Sequence, residues 1–193
     1  MTLSRHQFLW LATLFEGGLV VIAYLLGHWL SIDPLKHLSL DLDAVSLGLL
    51  AVLPLYGLFI LTQRWELTRS IREFLIERLG GLLAACRDVE LCYLALLAGV
   101  TEEILFRGLL QPWLEQDWGW LGGLIFSNMI FALLHWITPL YALLAGLSGV
   151  YLGLALDMSG ERNLLTPIVA HAVYDFLAFK SVVLMIKGSR NHD

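Results

Sequence analysis

The chain has 193 residues, of which 58% are hydrophobic and only 15% are charged, and its mean hydropathy is +0.74. These values lie outside the range of ordinary soluble domains and argue against a soluble helical protein with a large core. The net charge of −5, with no basic region set aside, argues against nucleic acid as a partner. Hydrophobic runs long enough to cross a bilayer, about 20 residues each, therefore decide the fold class.

Six hydrophobic runs of about that length follow one another along the chain. They cover residues 8–30, 44–62, 91–110, 118–136, 139–156 and 164–186. The first is too long for the core of a signal peptide and contains Glu16, so we expect it to be retained. The pattern predicts an all-α fold, a polytopic membrane helix bundle of about six transmembrane helices. No repeat divides residues 1–193, so we expect a single membrane domain.

The one long segment between the predicted spans, residues 63–90, has the pattern of an amphipathic helix. Its apolar side chains recur at near-helical spacing with arginines and glutamates between them, at Trp65, Leu67, Ile71, Phe74, Leu75, Ile76 and Leu79. We expect this helix to lie on the lipid at the cytoplasmic interface and to break at Gly80-Gly81. Its role is either to anchor the bundle against anionic lipid or to guide a membrane-bound substrate towards the site.

The basic residues predict the orientation of the bundle. With the N-terminus inside, eight of the 12 lysines and arginines fall in cytoplasmic segments: Arg5, Arg64, Arg69, Arg72, Arg78, Arg87, Lys187 and Arg190. Lys36 and Arg162 fall outside, and Arg107 and Lys180 lie within helices. By the positive-inside rule we expect a multi-pass integral membrane protein with both termini in the cytoplasm.

Two further patterns are better explained by packing than by chemistry. Cys86 and Cys92 are six residues apart, so a continuous helix points them about 120° away from each other, which disfavours a disulfide or a paired metal site. Ala145, Gly149 and Gly153 recur at intervals of four residues. That spacing of small residues lets helix backbones approach closely.

The third run carries three charged residues, Glu102, Glu103 and Arg107. Each charge at the centre of a membrane helix costs roughly 2.5–3.5 kcal/mol on the insertion scale. Glu103 and Arg107 are four residues apart and can pair on one face. Glu102 points about 100° away from Glu103, so it needs a cavity, a proton or a partner from another helix.

Polar residues on two later helices are candidate partners for Glu102. The fourth run places His135 one turn after Phe131, and the sixth places His171 and Asp175 on one face. A desolvated carboxylate can serve as a general base, and histidine can share its proton or donate a hydrogen bond to an oxyanion. Asp175 can accept a proton from His171 and orient that ring, but it donates only when protonated. On spacing alone, these residues could instead be structural polar groups.

At these residues the sequence resembles a known family, the CAAX-processing and bacteriocin-immunity (CPBP, Abi-type) intramembrane proteases. The family pattern is two glutamates, three residues and arginine; phenylalanine, three residues and histidine; then histidine, three residues and asparagine or aspartate. All three parts occur here in order, as Glu102-Glu103 with Arg107, Phe131 with His135, and His171 with Asp175. The part of the chain that carries them is about residues 91–186.

The resemblance implies an endopeptidase in which Glu102 activates water with help from His135, while His171 and Asp175 stabilise the tetrahedral intermediate. The best-studied relatives, the type II CAAX prenyl endopeptidases, remove the last three residues of prenylated proteins. The expected partners are therefore membrane lipid and a peptide or lipidated protein substrate. Asparagine is frequent at the family's last position, so Asp175 replaces a ready hydrogen-bond donor and puts its oxyanion role in doubt.

Three alternatives to this mechanism remain open. We expect no cofactor, because no H-E-x-x-H helix is present, but His135, His171 and a carboxylate could form a metalloprotease-like zinc site with Glu102 as base. The chain could also be a non-catalytic immunity or scaffold protein whose polar residues only hold helices together. A proton-coupled transporter would use buried glutamates and histidines too, but the sequence has no obvious inverted repeats.

The predicted spans also contain a conflict of depth. Glu102 and His171 fall near the middle of their runs, whereas His135 falls near the inner end of its run. At 1.5 Å per residue this offset approaches ~10 Å. Either helix tilt or a fourth helix that begins only after Gly122-Gly123 would remove it.

Overall fold

The computed structural model describes residues 3–189, and helices are the only regular secondary structure within them. The α-helices are α1 (Arg5–Leu30), α2 (Leu42–Thr62), α3 (Arg69–Leu75), α4 (Gly81–Ala85), α5 (Asp88–Glu103), α6 (Gln111–Leu134), α7 (Pro139–Ala155) and α8 (Leu165–Ser189). A 3₁₀ turn precedes α3 at Glu66–Thr68, and π-helical turns follow α3 and α5 at Ile76–Gly80 and Ile104–Leu110. The predicted all-α bundle is confirmed. Arg190, counted above among the cytoplasmic basic residues, lies outside the described residues.

Three of the described helices are long and apolar enough to cross a membrane, at Arg5–Leu30, Leu42–Thr62 and Leu165–Gly188. Pro139–Ala155 is apolar but shorter. Large apolar side chains point away from the bundle, and Trp10 and Trp29 of α1 are 67% and 77% exposed. Such an apolar outer surface matches lipid rather than water. The count of six spans and their orientation stay predictions.

Local sequence sets the helix ends. Ser4 begins α1 with a reciprocal cap, in which its hydroxyl accepts from the Gln7 backbone at 3.3 Å while the Gln7 side chain accepts from the Ser4 backbone at 2.9 Å. Asp41 and Thr138 cap α2 and α7 with side-chain oxygens at 2.7 Å and 3.1 Å from the backbone nitrogens they accept from. Ser31 ends α1 in the left-handed conformation, with φ of 57°.

The helix that carries the third predicted span does not end with that span at Leu110. The helix continues through the π turn Ile104–Leu110 into the first part of α6. The π register lies directly before Pro112, which has no N–H to donate to a carbonyl of the preceding turn. The helix turns only at Gly119, where φ of 68° and ψ of 175° suit glycine.

The two arms on either side of Gly119 form a helical hairpin. Asn128 on the second arm accepts a hydrogen bond from Arg107 on the first, so the arms run side by side. Glu102 and His135 lie 17 and 16 residues from the turn on opposite arms. They therefore lie at nearly the same depth, and the ~10 Å offset predicted from straight spans is absent.

The amphipathic segment, residues 63–90, is helical across the predicted break at Gly80-Gly81, so that prediction was wrong. Gly80 has a packing role instead, because a Cβ there would lie 2.5 Å from Cδ1 of Ile186 on α8. Ile71 of the same segment is buried against the bundle. Part of the apolar face of this segment therefore packs on the helices of the bundle, and its expected contact with lipid stays a prediction.

α8 lies at the centre of the bundle and packs against α2, α4, α5 and α7. Its contact with α5 is close in the region of the motifs, because a Cβ on Gly99 would lie 2.8 Å from the backbone nitrogen of Ala172. Farther along the same two helices, Leu91 and Val182 belong to one buried cluster. The backbone contact at Gly99 brings the glutamates of α5 beside the polar face of α8.

The small residues of α7 have the packing role predicted for them. A Cβ on Gly149 would collide with the Asn128 amide, and one on Gly153 would collide with another side chain of α6. The two cysteines are free thiols, Cys86 half-buried and Cys92 exposed. Neither forms a disulfide, as predicted.

Candidate active site

Glu102 lies near the C-terminal end of α5, where histidines from α6 and α8 converge on its carboxylate. Its Oε2 is 3.9 Å from Nε2 of His135 and 3.9 Å from Nε2 of His171. Both distances exceed that of a direct hydrogen bond, and Oε2 is buried without a hydrogen-bond partner among the described residues. The structure thus brings together three residues that the sequence placed on three helices, around one unsatisfied carboxylate oxygen.

His135 caps the C-terminal end of α6, and Phe131 one turn earlier fixes its ring. Its Nδ1 is 2.9 Å from the Phe131 carbonyl, and the two rings stack with centroids 4.2 Å apart. Because a carbonyl only accepts, Nδ1 must donate, and the neutral ring then presents the lone pair of Nε2. That lone pair faces Glu102, so Phe131 sets both the tautomer and the orientation of the histidine.

Glu103 and Arg107 form the pair that the sequence predicts. Nη1 of Arg107 is 3.0 Å from Oε1 of Glu103, and the two side chains are 1% and 0% exposed. Nη2 of Arg107 also donates to the Asn128 side chain at 2.9 Å and to the Gly149 carbonyl. This guanidinium ties α5 to α6 and α7. The sequence interpretation missed Asn128, although an amide in an apolar helix was a signal for it.

His171 is held by Glu103 rather than by Asp175, and this corrects the sequence interpretation. Nδ1 of His171 is 2.7 Å from Oε1 of Glu103, whereas its Nε2 is 3.6 Å from Oδ2 of Asp175. Nδ1 therefore donates to Glu103, and Nε2 points into the space between Asp175 and Glu102. Glu103 has two partners, Arg107 and His171, and only the first could be inferred from helical spacing.

α1, which carries none of the three motifs, adds another carboxylate next to the site. Oε2 of Glu16 accepts a hydrogen bond from the hydroxyl of Thr101, the residue before Glu102. Glu16 is also close enough for its charge to act on Glu102 and His171. The sequence shows Glu16 as a charge within a hydrophobic run, but one-dimensional spacing cannot assign its neighbours on a distant helix.

A cavity of about 240 Å³ extends from His135, His171 and Asp175 to the amphipathic segment, and Glu102 itself does not line it. Its polar end is formed by His135, Tyr141, His171 and Asp175. The remainder is mostly apolar and is lined by side chains of α2, α3, α4, α7 and α8. At ~30 Å³ per water, the volume equals about eight water molecules, which is room for a water and part of a peptide.

The side chains of the site do not have the arrangement of a metal centre. Across the described residues 3–189, no group of three or more His, Cys, Asp or Glu side chains could hold a metal ion. The zinc site of His135, His171 and a carboxylate is therefore not preformed in this arrangement of side chains. The expectation that no cofactor is required stays a prediction.

Comparison with known proteins gives one match. Residues 89–177 match the family model described as type II CAAX prenyl endopeptidase Rce1-like, and the matched stretch includes all three motifs. The family predicted from the sequence is therefore confirmed. Searches of curated proteins and of solved structures found no match. The apolar helices and this match together support a membrane protein, and the match suggests a protease-type family.

Proposed function

With residues 89–177 the chain belongs to the Rce1-like family, and we propose that it is an intramembrane endopeptidase whose water is activated by Glu102. The observation that carries this proposal is the buried Oε2 of Glu102, which has no hydrogen-bond partner in the described chain and faces two imidazoles. A buried polar atom left without a partner is costly. Oε2 of Glu103 and Oε1 of Gln111 also lack one among the described residues, so the two imidazoles that face Glu102, and not the missing partner alone, point to a catalytic role. A general base needs an acceptor that is not already occupied.

The chemistry follows from the donors and acceptors around that oxygen. A water held by Glu102 and by the lone pair on Nε2 of His135 gives one proton to Glu102 while its oxygen bonds to the scissile carbonyl carbon. In its doubly protonated form, His171 donates from Nε2 to the developing oxyanion. The proton on Glu102 then passes to the amide nitrogen as the carbon–nitrogen bond breaks.

The cavity supports a substrate with an apolar part. Its walls are mostly apolar, and Ile71 and Leu75 of the amphipathic segment contribute to them. We propose a peptide or lipidated protein whose apolar part occupies this cavity while the scissile bond lies between His135 and His171. The amphipathic segment would then guide the substrate as well as anchor the bundle in lipid.

The competing function is a non-catalytic immunity or scaffold protein. The Arg107 network would suit it, because that guanidinium connects three helices through Glu103, Asn128 and Gly149. Glu102 stands outside this network and makes no hydrogen bond through its side chain to any described residue, so a scaffold role does not account for it.

Cleavage by the purified protein in proteoliposomes tests the proposal. The probes are short fluorogenic peptides, each in an unmodified and an S-farnesylated form, with products identified by mass spectrometry. We expect cleavage by the wild type and none above background by Glu102→Gln prepared in parallel. A folded wild type that cleaves no peptide, or a Glu102→Gln protein that cleaves equally, would refute the proposed function.

A further inference from the structure

The geometry assigns a second hydrogen-bond donor to the site. We propose that the hydroxyl of Tyr141 binds the oxyanion formed during hydrolysis, which makes Tyr141 a further catalytic residue. This inference rests on the proposed function and adds to it a residue that none of the three motifs contains.

The backbone of Tyr141 is fixed at the polar end of the cavity by a helix cap. It lies in the first turn of α7, where its backbone nitrogen donates to the capping hydroxyl of Thr138 at 3.1 Å. Its side chain lines the cavity together with His135, His171 and Asp175. A group fixed before the reaction begins is the kind of donor that stabilises developing charge most effectively.

Tyr141 lines the cavity beside Asp175 and the two histidines of the site. It lies close enough to Asp175 and Glu102 for both charges to act on its hydroxyl. The backbone nitrogen of Tyr141 donates to Thr138, but its hydroxyl makes no hydrogen bond to any described residue. The hydroxyl is therefore available to a ligand. Tyr174 lines the same cavity and lies close to Asp175 and Tyr141. The groups whose charges act on its hydroxyl do not include Glu102.

The charges around His171 explain why a neutral donor is needed. Glu102, Glu103 and Asp175 all lie within 4 Å of its ring nitrogens, at 3.9 Å, 2.7 Å and 3.6 Å. Glu102 becomes neutral when it takes the proton from water, and Arg107 balances the charge of Glu103. An ionised Asp175 still repels an oxyanion formed beside His171, and it has no proton to donate. Tyr141, on α7, supplies an O–H to the same cavity.

The hydroxyl acts without changing the balance of the reaction. As the water oxygen bonds to the carbonyl carbon, the π electrons of the carbonyl move to its oxygen, which accepts the hydrogen bond from Tyr141. When that intermediate collapses, the electrons return, the carbon–nitrogen bond breaks, and the nitrogen takes its proton from Glu102. Tyr141 keeps its own proton throughout, so no additional reactant is required.

Tyr141→Phe removes only the hydroxyl and tests the proposal. We expect kcat for peptide cleavage to fall by roughly 10²–10³ with KM unchanged, the cost of losing one oxyanion donor. Tyr56→Phe is the matched control, because the Tyr56 hydroxyl is bonded to Ser181 at 3.0 Å and lies outside the cavity. Its kcat per folded molecule should equal that of the wild type. A larger loss with Tyr174→Phe than with Tyr141→Phe would overturn the assignment.

A second background separates catalysis from packing. Asp175→Asn introduces an amide donor at the site. The fall in kcat caused by Tyr141→Phe should therefore be at least tenfold smaller in the Asp175→Asn protein than in the wild type. Equal costs in the two backgrounds would show that Tyr141 and position 175 do not serve the same oxyanion.

Binding of a phosphinic peptide, which carries a tetrahedral anionic phosphorus in place of the scissile carbonyl, needs no turnover. Tyr141→Phe should weaken its affinity by a similar 10²–10³-fold and leave the parent peptide's affinity unchanged. An affinity for the phosphinic peptide that Tyr141→Phe leaves unchanged would overturn the role of Tyr141. If the wild type still cleaves peptides, the proposed function stands. A wild type that neither cleaves peptides nor prefers the phosphinic form would overturn both.

Discussion

Replacing each of the two adjacent glutamates by glutamine should separate catalysis from structure. Glu102→Gln keeps the shape of the side chain but removes the proton acceptor that faces His135 and His171. Because the wild-type carboxylate makes no direct hydrogen bond to a described residue, its replacement breaks none and the protein should stay folded. Loss of a general base costs 10²–10⁴ in rate, on the order of 3–5 kcal/mol of barrier.

Glu103→Gln should mainly affect stability. Glu103 is 0% exposed and balances the charge of Arg107, and breaking such a buried pair costs about 3–5 kcal/mol. Asn128 and the Gly149 carbonyl still accept from Arg107, so we place the loss near the lower end of that range. For a chain of this length, ~3 kcal/mol corresponds to a fall in Tm of about 6–12 °C. His171 also loses its anionic partner, so kcat should fall, but by less than in Glu102→Gln.

The assay normalises activity to folded protein. Both variants and the wild type are purified in one detergent, their thermal midpoints are measured, and peptide cleavage is recorded after reconstitution. We expect a normal midpoint with nearly abolished cleavage for Glu102→Gln, and a lowered midpoint with greater residual cleavage for Glu103→Gln. If Glu103→Gln were the more stable and the less active of the two, the roles assigned to the glutamates would have to be exchanged.

Three further predictions concern orientation, metal and pH. Single cysteines at Ser70 and Asp117 in a cysteine-free background should label from opposite sides of the membrane, and labelling from one side would refute the six-span topology. Chelators should leave cleavage unchanged, whereas stoichiometric zinc, with activity lost to chelation and restored by zinc, would establish the metal mechanism. Burial raises the pKa of Asp157, but hydrogen bonds from Arg162 and Trp120 outweigh it and hold that pKa below its usual value. Asp157 therefore stabilises the fold above about pH 4, and this contribution is lost as pH falls through its lowered pKa, so the Tm deficit of Asp157→Asn should shrink with acidification. A deficit that stays constant from pH 7 to pH 3 would contradict this.

The helix class could be predicted from sequence because hydrophobicity determines it, but two boundaries could not. Residues 111–117 include two glutamines, Glu115 and Asp117, so hydropathy ends the third span at Leu110, yet the backbone stays helical until Gly119. The polarity of a segment indicates whether it lies in lipid or in water. The position of the turn depends instead on the backbone, here on the positive φ of Gly119. Gly80 shows the converse, because a glycine that looks like a break in sequence instead makes room for Ile186.

In the candidate site, the sequence could predict contacts between residues of the same helix but not contacts between helices. The i and i+4 relation correctly pairs Glu103 with Arg107. It cannot show that Glu103 also accepts from His171, since this contact depends on how closely Gly99 lets α5 approach α8. Tyr141 belongs to the same class of residue, because only the packing of α7 beside α8 brings it to the cavity.

The buried ion pair is better explained by positioning than by stability. Removing a glutamate and an arginine from water costs several kcal/mol per ion, and a well-packed apolar pair of similar volume is often as stable. An apolar pair cannot accept a hydrogen bond from Nδ1 of His171. Glu103 accepts that bond at 2.7 Å, and Arg107 neutralises the charge of Glu103. Adjacent residues on a helix point about 100° apart. One glutamate can therefore fix the histidine from within the bundle while its neighbour, Glu102, keeps an unoccupied oxygen towards the imidazoles.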